Sequence, residues 1–151
     1  MPMPSHDDVV QFVARNRFPF PGQKTWPADY VTLTNAPARQ RSVPAEGGEY
    51  FPDIVVIDAK GRTREIGDVE EVLDPAKIKL WKAASAAGDE LPDYGTRIFF
   101  LYVPAGKEAE AQKLLDDNEV PYAGVRGYSA DPTGKVIIAP FVTRGNPYDH
   151  Q

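Results

Sequence analysis

The sequence predicts an α/β fold: a central mixed β-sheet flanked by helices on both faces, in a single domain spanning residues 1–151. Three observations predict it. The candidate elements run helix, strands, helix, strand, helix, strands, an order that closes into a helix–sheet–helix sandwich. The segment Thr96–Val103 is so apolar (Ile98, Phe99, Phe100, Leu101) that it belongs at the sheet centre, covered on both faces. With 42% apolar and 11% aromatic residues, a chain of this length can bury a proper core.

Taken in order, residues 1–5 read as a loose start. Ser5, with Asp8 three residues on, resembles a capping box. Val9, Val10, Phe12 and Val13 then give one apolar helical stripe to about Asn16. Phe18-Pro19-Phe20-Pro21-Gly22 ends that helix. Tyr30–Thr34 alternates as a strand. Residues 35–48 hold Pro37, Pro44, Gly47 and Gly48 without periodicity and read as a long loop carrying Arg39 and Arg41, a length usual for functional or disordered segments. Strands follow near 50–58 and 63–72. Asp74-Pro75 opens a helix to about Ala87, Asp as cap and Pro at the first helical position. After the strand at 96–103, Pro104-Ala105-Gly106 turns the chain into a helix over Lys107–Asn118. Gly124–Tyr128 and Lys135–Phe141 read as two short strands, and residues 144–151 as a loose end.

Composition removes several function classes. Without cysteine there are no disulfides, thiolate zinc sites or cysteine nucleophiles, which suits a reducing cytoplasm. No run approaches the roughly 18 apolar residues of a membrane span, and the N-terminus lacks the basic flank and apolar core of a signal peptide. The expectation is a cytoplasmic chain without a membrane partner. A net charge of −5 argues against an indiscriminate nucleic-acid binder. Basic residues nevertheless cluster at Arg15/Arg17, Arg39/Arg41, Lys60/Arg62/Arg64 and Lys77/Lys79/Lys82, each either a phosphate-backbone contact or solvated surface.

The most informative stretch is Pro52-Asp53-Ile54-Val55-Val56-Ile57, followed by Glu65-Ile66-Gly67-Asp68-Val69-Glu70. Side chains alternate across a strand, so Asp68 and Glu70 share a face. If Lys60-Gly61 forms a two-residue turn, Asp53 pairs with Asp68, and directly paired Cβ atoms lie roughly 4.5–5.5 Å apart. A three-residue turn with Gly61 left-handed slips the register by one and turns Asp53 away unless a bulge restores it. Three converging carboxylates repel unless a cation sits between them, and Mg²⁺ or Mn²⁺ prefers such oxygen ligands. Asp in mid-strand has poor propensity, and Gly67 beside it weakens the strand unless something needs close approach. The competing reading makes these acids a solvated strand face.

These residues resemble the PD-(D/E)xK nuclease superfamily, the restriction-endonuclease-like fold. Pro52-Asp53 matches the "PD", and Asp68-Val69-Glu70 matches the "(D/E)xK" with Glu where Lys is usual. The resemblance covers roughly residues 50–105, in the order strand, turn, strand, helix, strand. It implies a metal-dependent hydrolase of phosphodiester bonds in DNA, or RNA, with Asp53, Asp68 and Glu70 holding one or two Mg²⁺ or Mn²⁺ ions and no organic cofactor. It also implies a lysine at the site, which some relatives supply from the following helix, and in some an acid from the first helix, here Asp7 or Asp8. The alternative is a catalytically inactive relative serving as a binding or scaffolding domain, which the missing motif lysine and the acidic charge favour.

Geometry ranks the lysines. From Val72 back to Asp68 a strand covers about 13 Å at roughly 3.3 Å per residue. A helix starting at Pro75 rises only about 1.5 Å per residue and draws level with the acids near residues 80–84. Lys82 is therefore the expected catalytic lysine, Lys79 the next, and Lys77 too close to the helix start. His6 and His150 lie in expected frayed ends, so no histidine is expected at the site. No serine has the partners of a triad, and Gly124-Val125-Arg126-Gly127 is not a phosphate loop. Tyr50, Tyr102 and Tyr128 are core residues by default, with stacking on bases as the other role. A domain this small has little room for a sequence-reading module, so a homodimer, a partner or nucleic-acid structure would supply specificity.

Overall fold

Helix α1 (His6–Asn16) starts where Ser5 stops being helical: its hydroxyl accepts the Asp8 N–H at 3.2 Å, satisfying one of the orphan donors of the first turn. The computed structural model describes residues 3–151. After α1 come β1 (Val31–Thr34), a ribbon of β2 (Val43–Ala45) and β3 (Gly48–Tyr50), then β4 (Ile54–Ile57) and β5 (Thr63–Val69). A single 3₁₀ turn at Pro75–Lys77, capped by Asp74, leads into α2 (Ile78–Ala87). A second ribbon, β6 (Glu90–Leu91) and β7 (Thr96–Arg97), precedes β8 (Phe99–Pro104), α3 (Glu108–Asp117), β9 (Gly124–Ala130) and β10 (Val136–Thr143).

Six strands form one mixed sheet in the order β1-β4-β5-β8-β9-β10. The central three, β5, β8 and β9, are parallel, and the flanking pairings are antiparallel. The expected α/β class with a mixed sheet is what the chain adopts. Strand β8 is buried along nearly its whole length, as its unbroken apolar run requires. Alternation splits its side chains between two cores. Phe100 and Tyr102 join Val9, Val10, Val13 and Phe18 under α1, while Phe99, Leu101 and Val103 join Trp81, Ala84, Ala111 and Leu115 under α2 and α3.

The β4–β5 hairpin decides where the acids point. Asp58 N–H bonds Arg62 O, Gly61 N–H bonds Asp58 O, and Gly61 has φ +77°. This is the longer turn with a left-handed glycine, which by itself would slip the register. A bulge restores it. Ile57 pairs with Thr63 but Val56 pairs with Glu65, leaving Arg64 as the extra residue on β5. Ile54 then faces Gly67, and one step further along Asp53 meets Asp68.

Two local expectations need correction, and a third is explained by packing. The 35–48 segment is not irregular throughout, because β2 lies within it. Asn35 pins it: the side-chain amide donates to the carbonyls of Arg41 and Pro52, and its oxygen accepts the N–H groups of Gln40 and Arg41. Residues 144–151 are not loose. Arg144 and Gly145 N–H both bond Ala123 O, Tyr102 donates to Gln151 O, and Gln151 is buried. Gly67 has a packing reason, since a Cβ there would stand 3.3 Å from Ile54 Cδ1 and the Phe18 ring. The close approach its sequence position called for is made by an aromatic ring. Among the described residues no helix is long and apolar enough to cross a membrane.

Candidate metal centre

The acids gather at the C-terminal end of β5. Asp68 lies on the face shared with Ile66, under α2; Glu70, two residues on, continues that face just past the strand end; Asp53 sits at the entrance to β4. One carboxylate oxygen from each of the three lies within 4.8 Å of the others, a cluster that can hold a metal ion. Its surroundings form a cleft of about 440 Å³ lined by His6, Tyr50, Phe51, Glu70, Lys77 and neighbours.

The carboxylates are individually aimed. Asp68 is fully buried; Oδ1 accepts the Asp53 N–H at 2.9 Å and Oδ2 the Tyr50 hydroxyl at 2.8 Å. Asp53 Oδ2 accepts the Val69 N–H at 2.8 Å, so the two strand backbones and the two acids lock each other in place. Glu70 Oε2 lies 3.1 Å from Lys77 Nζ. That contact is an ion pair without good hydrogen-bond direction, because Oε2 is buried and has no well-aligned donor among the described residues. The Lys77 ammonium is the cation that offsets the burial of that oxygen in this structure.

Electrostatics follows from burial. Burial, then the charges of Asp53 and Glu70, push the Asp68 carboxyl well above the usual range, against the bonds from Asp53 N–H and Tyr50. Burial likewise raises Glu70, although the Lys77 contact pulls it back. Burial opposes the charge on Lys77, but the bond to Glu70 and the surrounding acids outweigh it, and Lys77 ends above its ordinary value. Burial raises the Tyr50 phenol, and the Asp68 charge raises it further, so it stays a donor. Burial and mutual repulsion thus favour either a proton or a bound cation at this cluster.

The structure brings Asp53, Asp68 and Glu70 together and leaves Lys82 elsewhere. Lys82 is exposed and lines a separate groove with Pro44, Glu46 and Lys79. Lys77 takes the place expected of it. The ranking assumed a strand continuing to residue 72, whereas β5 stops at Val69 and a 3₁₀ turn precedes the helix. The acids therefore sit level with the start of the helix, not two turns along it.

His6 is the residue that sequence reasoning missed. Its Nε2 lies 3.1 Å from Asp53 Oδ1, and its Nδ1 is 3.0 Å from Asp7 Oδ1. The Asp53 contact, only partly opposed by burial, lifts its pKa to about 9. The signal was present: a residue capped by Ser5 is held in a first helical turn and cannot fray freely. Asp7 reaches the pocket only through His6. Of the basic clusters, Arg62 and Arg64 are spent on Asp58, Arg41 on Gly61 O, and Arg39 stacks 4.5 Å over the Phe51 ring at the cleft wall. Tyr50 serves Asp68, while Tyr102 and Tyr128 are buried.

No protein-family model, no curated protein and no solved structure matches the chain. The geometry of the cluster is therefore what any functional reading has to start from.

Proposed function

We propose that the protein is a metal-dependent phosphodiesterase of the PD-(D/E)xK kind, acting on DNA or RNA, with Asp53, Asp68 and Glu70 as the metal ligands. The observation that carries this reading is the convergence of three carboxylates, one of them fully buried, within 4.8 Å beside a lysine amine. The donor set fits a hard divalent cation. One oxygen of each acid lies within 4.8 Å of the others, near enough for all three to ligate one such ion once they draw together around it.

A divalent ion bound there would supply a water of lowered pKa and offset charge on the scissile phosphate. The protein's own groups do the rest. Asp68, fixed by Tyr50 and the Asp53 backbone, anchors the site. Lys77 can turn its amine from Glu70 toward a non-bridging phosphate oxygen or the attacking water, the part the sequence assigned to Lys82. His6, at the mouth of the cleft, can hold a proton near the departing oxygen. Arg39, stacked on Phe51, brings positive charge to an otherwise acidic rim.

One observation favours a silent binding domain instead: His6 and Lys77 already neutralise two of the three acids. Calorimetric titration with Mn²⁺ separates the two. Saturable binding that is lost in Asp68→Asn, together with cleavage of DNA or RNA that is lost in the same variant and in Lys77→Met, is expected. Absence of Mn²⁺ binding, with nucleic acid present as well as without it, would leave the scaffold.

A further inference from the structure

The other end of α1 carries a second constellation, with the opposite charge. A cleft of about 270 Å³ opens between the end of that helix, the Phe20–Pro21 turn and strands β9 and β10, lined by Arg17, Arg126, Ile138, Asp149 and His150 among others. Such a volume falls below the range that holds a drug-sized molecule.

Arg126 is the unusual member. It is only 2% exposed, and no carboxylate approaches it within ion-pair distance among the described residues. Its contacts are carbonyls: Nη1 donates to Val125 O at 3.2 Å and Val142 O at 2.7 Å, and Nη2 to Asp149 O at a long 3.4 Å. A guanidinium has five N–H donors, so Nε and part of Nη2 are left without an acceptor among the described residues. The side chain folds back over Gly124, where a Cβ would lie 2.5 Å from Nη1, and over the Phe100 ring at 5.4 Å. The pocket is thus built for the guanidinium.

Arg17 adds a second guanidinium at the C-terminal cap of α1, where the helix dipole favours positive charge. Its one hydrogen bond among the described residues is to the neighbouring Asn16 carbonyl. Burial weakens the hold of Arg126 on its proton; Tyr102 and Asp149 act against that, and the nearby charge of Arg17 adds to it. His150, exposed at the rim, packs edge-on to Phe20. Asp149 is the sole acid among the lining residues and pairs with neither arginine. Asp149 offsets part of the cost of burying one cation beside another without forming an ion pair, and an anion seated between the two guanidinium groups would offset more.

We propose that this cleft is a binding site for a phosphate-type oxyanion, free phosphate or a terminal phosphate monoester, gripped by Arg126 from below and Arg17 from the side. Paired guanidinium groups match the geometry of such oxygens. Arg17 lies one length of the eleven-residue α1, about 16 Å at 1.5 Å per residue, from His6 at the carboxylate cluster. The anion site does not depend on the nuclease reading.

Calorimetric titration of the full chain, in chelator so that no metal carries the anion to the acids, tests the proposal with inorganic phosphate and glycerol 3-phosphate. Saturable binding of at least one, weakening with added salt, is expected. Arg17→Gln should weaken it by about ten- to a hundredfold, as loss of a charged hydrogen bond does, Arg17→Lys by less, and Asp68→Asn not at all. Equal binding of both probes would assign the site to a terminal phosphate; preference for inorganic phosphate would assign it to the free ion. The proposal is overturned if neither probe saturates, if Arg17→Gln binds like wild type, or if Asp68→Asn abolishes binding. Because Arg17 is partly exposed and peripheral, its variants do not put the fold at risk; matched circular dichroism melts check this.

Discussion

Helix α1 joins two pockets built on opposite principles. At its N-terminal end, His6 faces three acids, one wholly buried, whose charges repel and whose carboxyls are pushed up by burial. At its C-terminal end, Arg17 faces the buried Arg126, and among the described residues no carboxylate forms an ion pair with either. Each pocket buries an excess of one sign of charge, only partly offset by His6 and Lys77 at one end and Asp149 at the other, in a place where the low dielectric makes that expensive. A ligand of the other sign would relieve each. The placement also agrees with the hydrogen bonding: acids end up where strand N–H groups point at them, and Arg126 ends up where carbonyls do. What separates the ends is the direction of the backbone dipoles, and the side chains complete what the backbone begins.

The largest effect should come from Asp68→Asn. Removal of a metal ligand should exceed the ten- to hundredfold loss of affinity typical of its supporting groups. The same change should stabilise the metal-free protein. Asp68 has a raised folded-state value, so its contribution is fully present below the unfolded carboxyl pKa and is lost as pH rises above it. At neutral pH wild type therefore carries a penalty that Asn lacks. Melting curves should show the variant above wild type in chelator, while Mn²⁺ raises wild type alone, by about 2.7 kcal/mol at a hundredfold excess over Kd. If Mn²⁺ raises both equally, the acidic end does not hold the ion.

Glu65 sharpens the contrast, because it lies on the same strand as Asp68 but towards its other end, in a cleft shared with Asp149. It is buried beside Gln151, whose amide is 3.3 Å away. Burial first, then the charges of Asp149 and Asp89, raise its pKa to about 8, the Gln151 contact notwithstanding. Its contribution is fully present below the unfolded value of about 4.5 and disappears as pH climbs through about 8. Glu65→Gln should therefore stabilise the fold by up to about 3 kcal/mol at pH 7, since each pH unit above the unfolded value costs the buried acid about 1.36 kcal/mol. The gain should vanish near pH 4. A gain that persists unchanged at pH 4 would show that the amide packs better and that charge is not the cause.

How much of this was legible in the sequence depends on the range of the interaction. The apolar run of β8, the Asp74-Pro75 start and the Ser5 cap are local signals, and each produced the element it announced. The meeting of Asp53 with Asp68 was legible only as a conditional, because two departures from ideal geometry cancel: the glycine turn at Gly61 and the bulge at Arg64. The bulge has a reason visible only in three dimensions. Arg64 reaches Asp58 and Asp89 at once, with its backbone carbonyl accepting the Asp89 N–H. Lys77 was passed over for Lys82 through an error of three residues in where β5 ends, enough to exchange one helix turn for another. The basic pocket was invisible, since Arg17, Arg126 and His150 lie far apart in the chain and no local pattern unites them.

Gly124→Ala should have a smaller effect, confined to the basic end. The new methyl would meet the Arg126 guanidinium at 2.5 Å. A guanidinium is the free end of a flexible side chain, so the strand need not move, but the buried charge must be re-sited. A cost of about 1–2 kcal/mol, in the lower part of the overpacking range, should appear in chemical denaturation. Phosphate affinity should fall while Mn²⁺ affinity is unchanged. A parallel fall in both would mean that the two ends are coupled through α1.

The smallest effect, and the one that most directly tests the geometry of the acidic end, belongs to Lys82→Ala. Its side chain is exposed on the outer face of α2, in a groove with Lys79 that is separate from the acids. Surface substitutions of this kind usually stay within about 0.5 kcal/mol. Neither Mn²⁺ affinity nor phosphate affinity should change, and any hydrolytic rate should stay within error of wild type. Lys77→Met makes the counter-experiment, because it deletes the amine 3.1 Å from Glu70 while keeping the side chain's length and apolar stem. It removes a repelling positive charge from the cluster and so should leave Mn²⁺ binding intact or tighter, while turnover falls. The pair separates a lysine that acts on the reacting groups from one that only decorates the helix: if Lys82→Ala slows cleavage and Lys77→Met does not, the substrate crosses α2 on its outer face, and the catalytic role assigned to Lys77 is wrong.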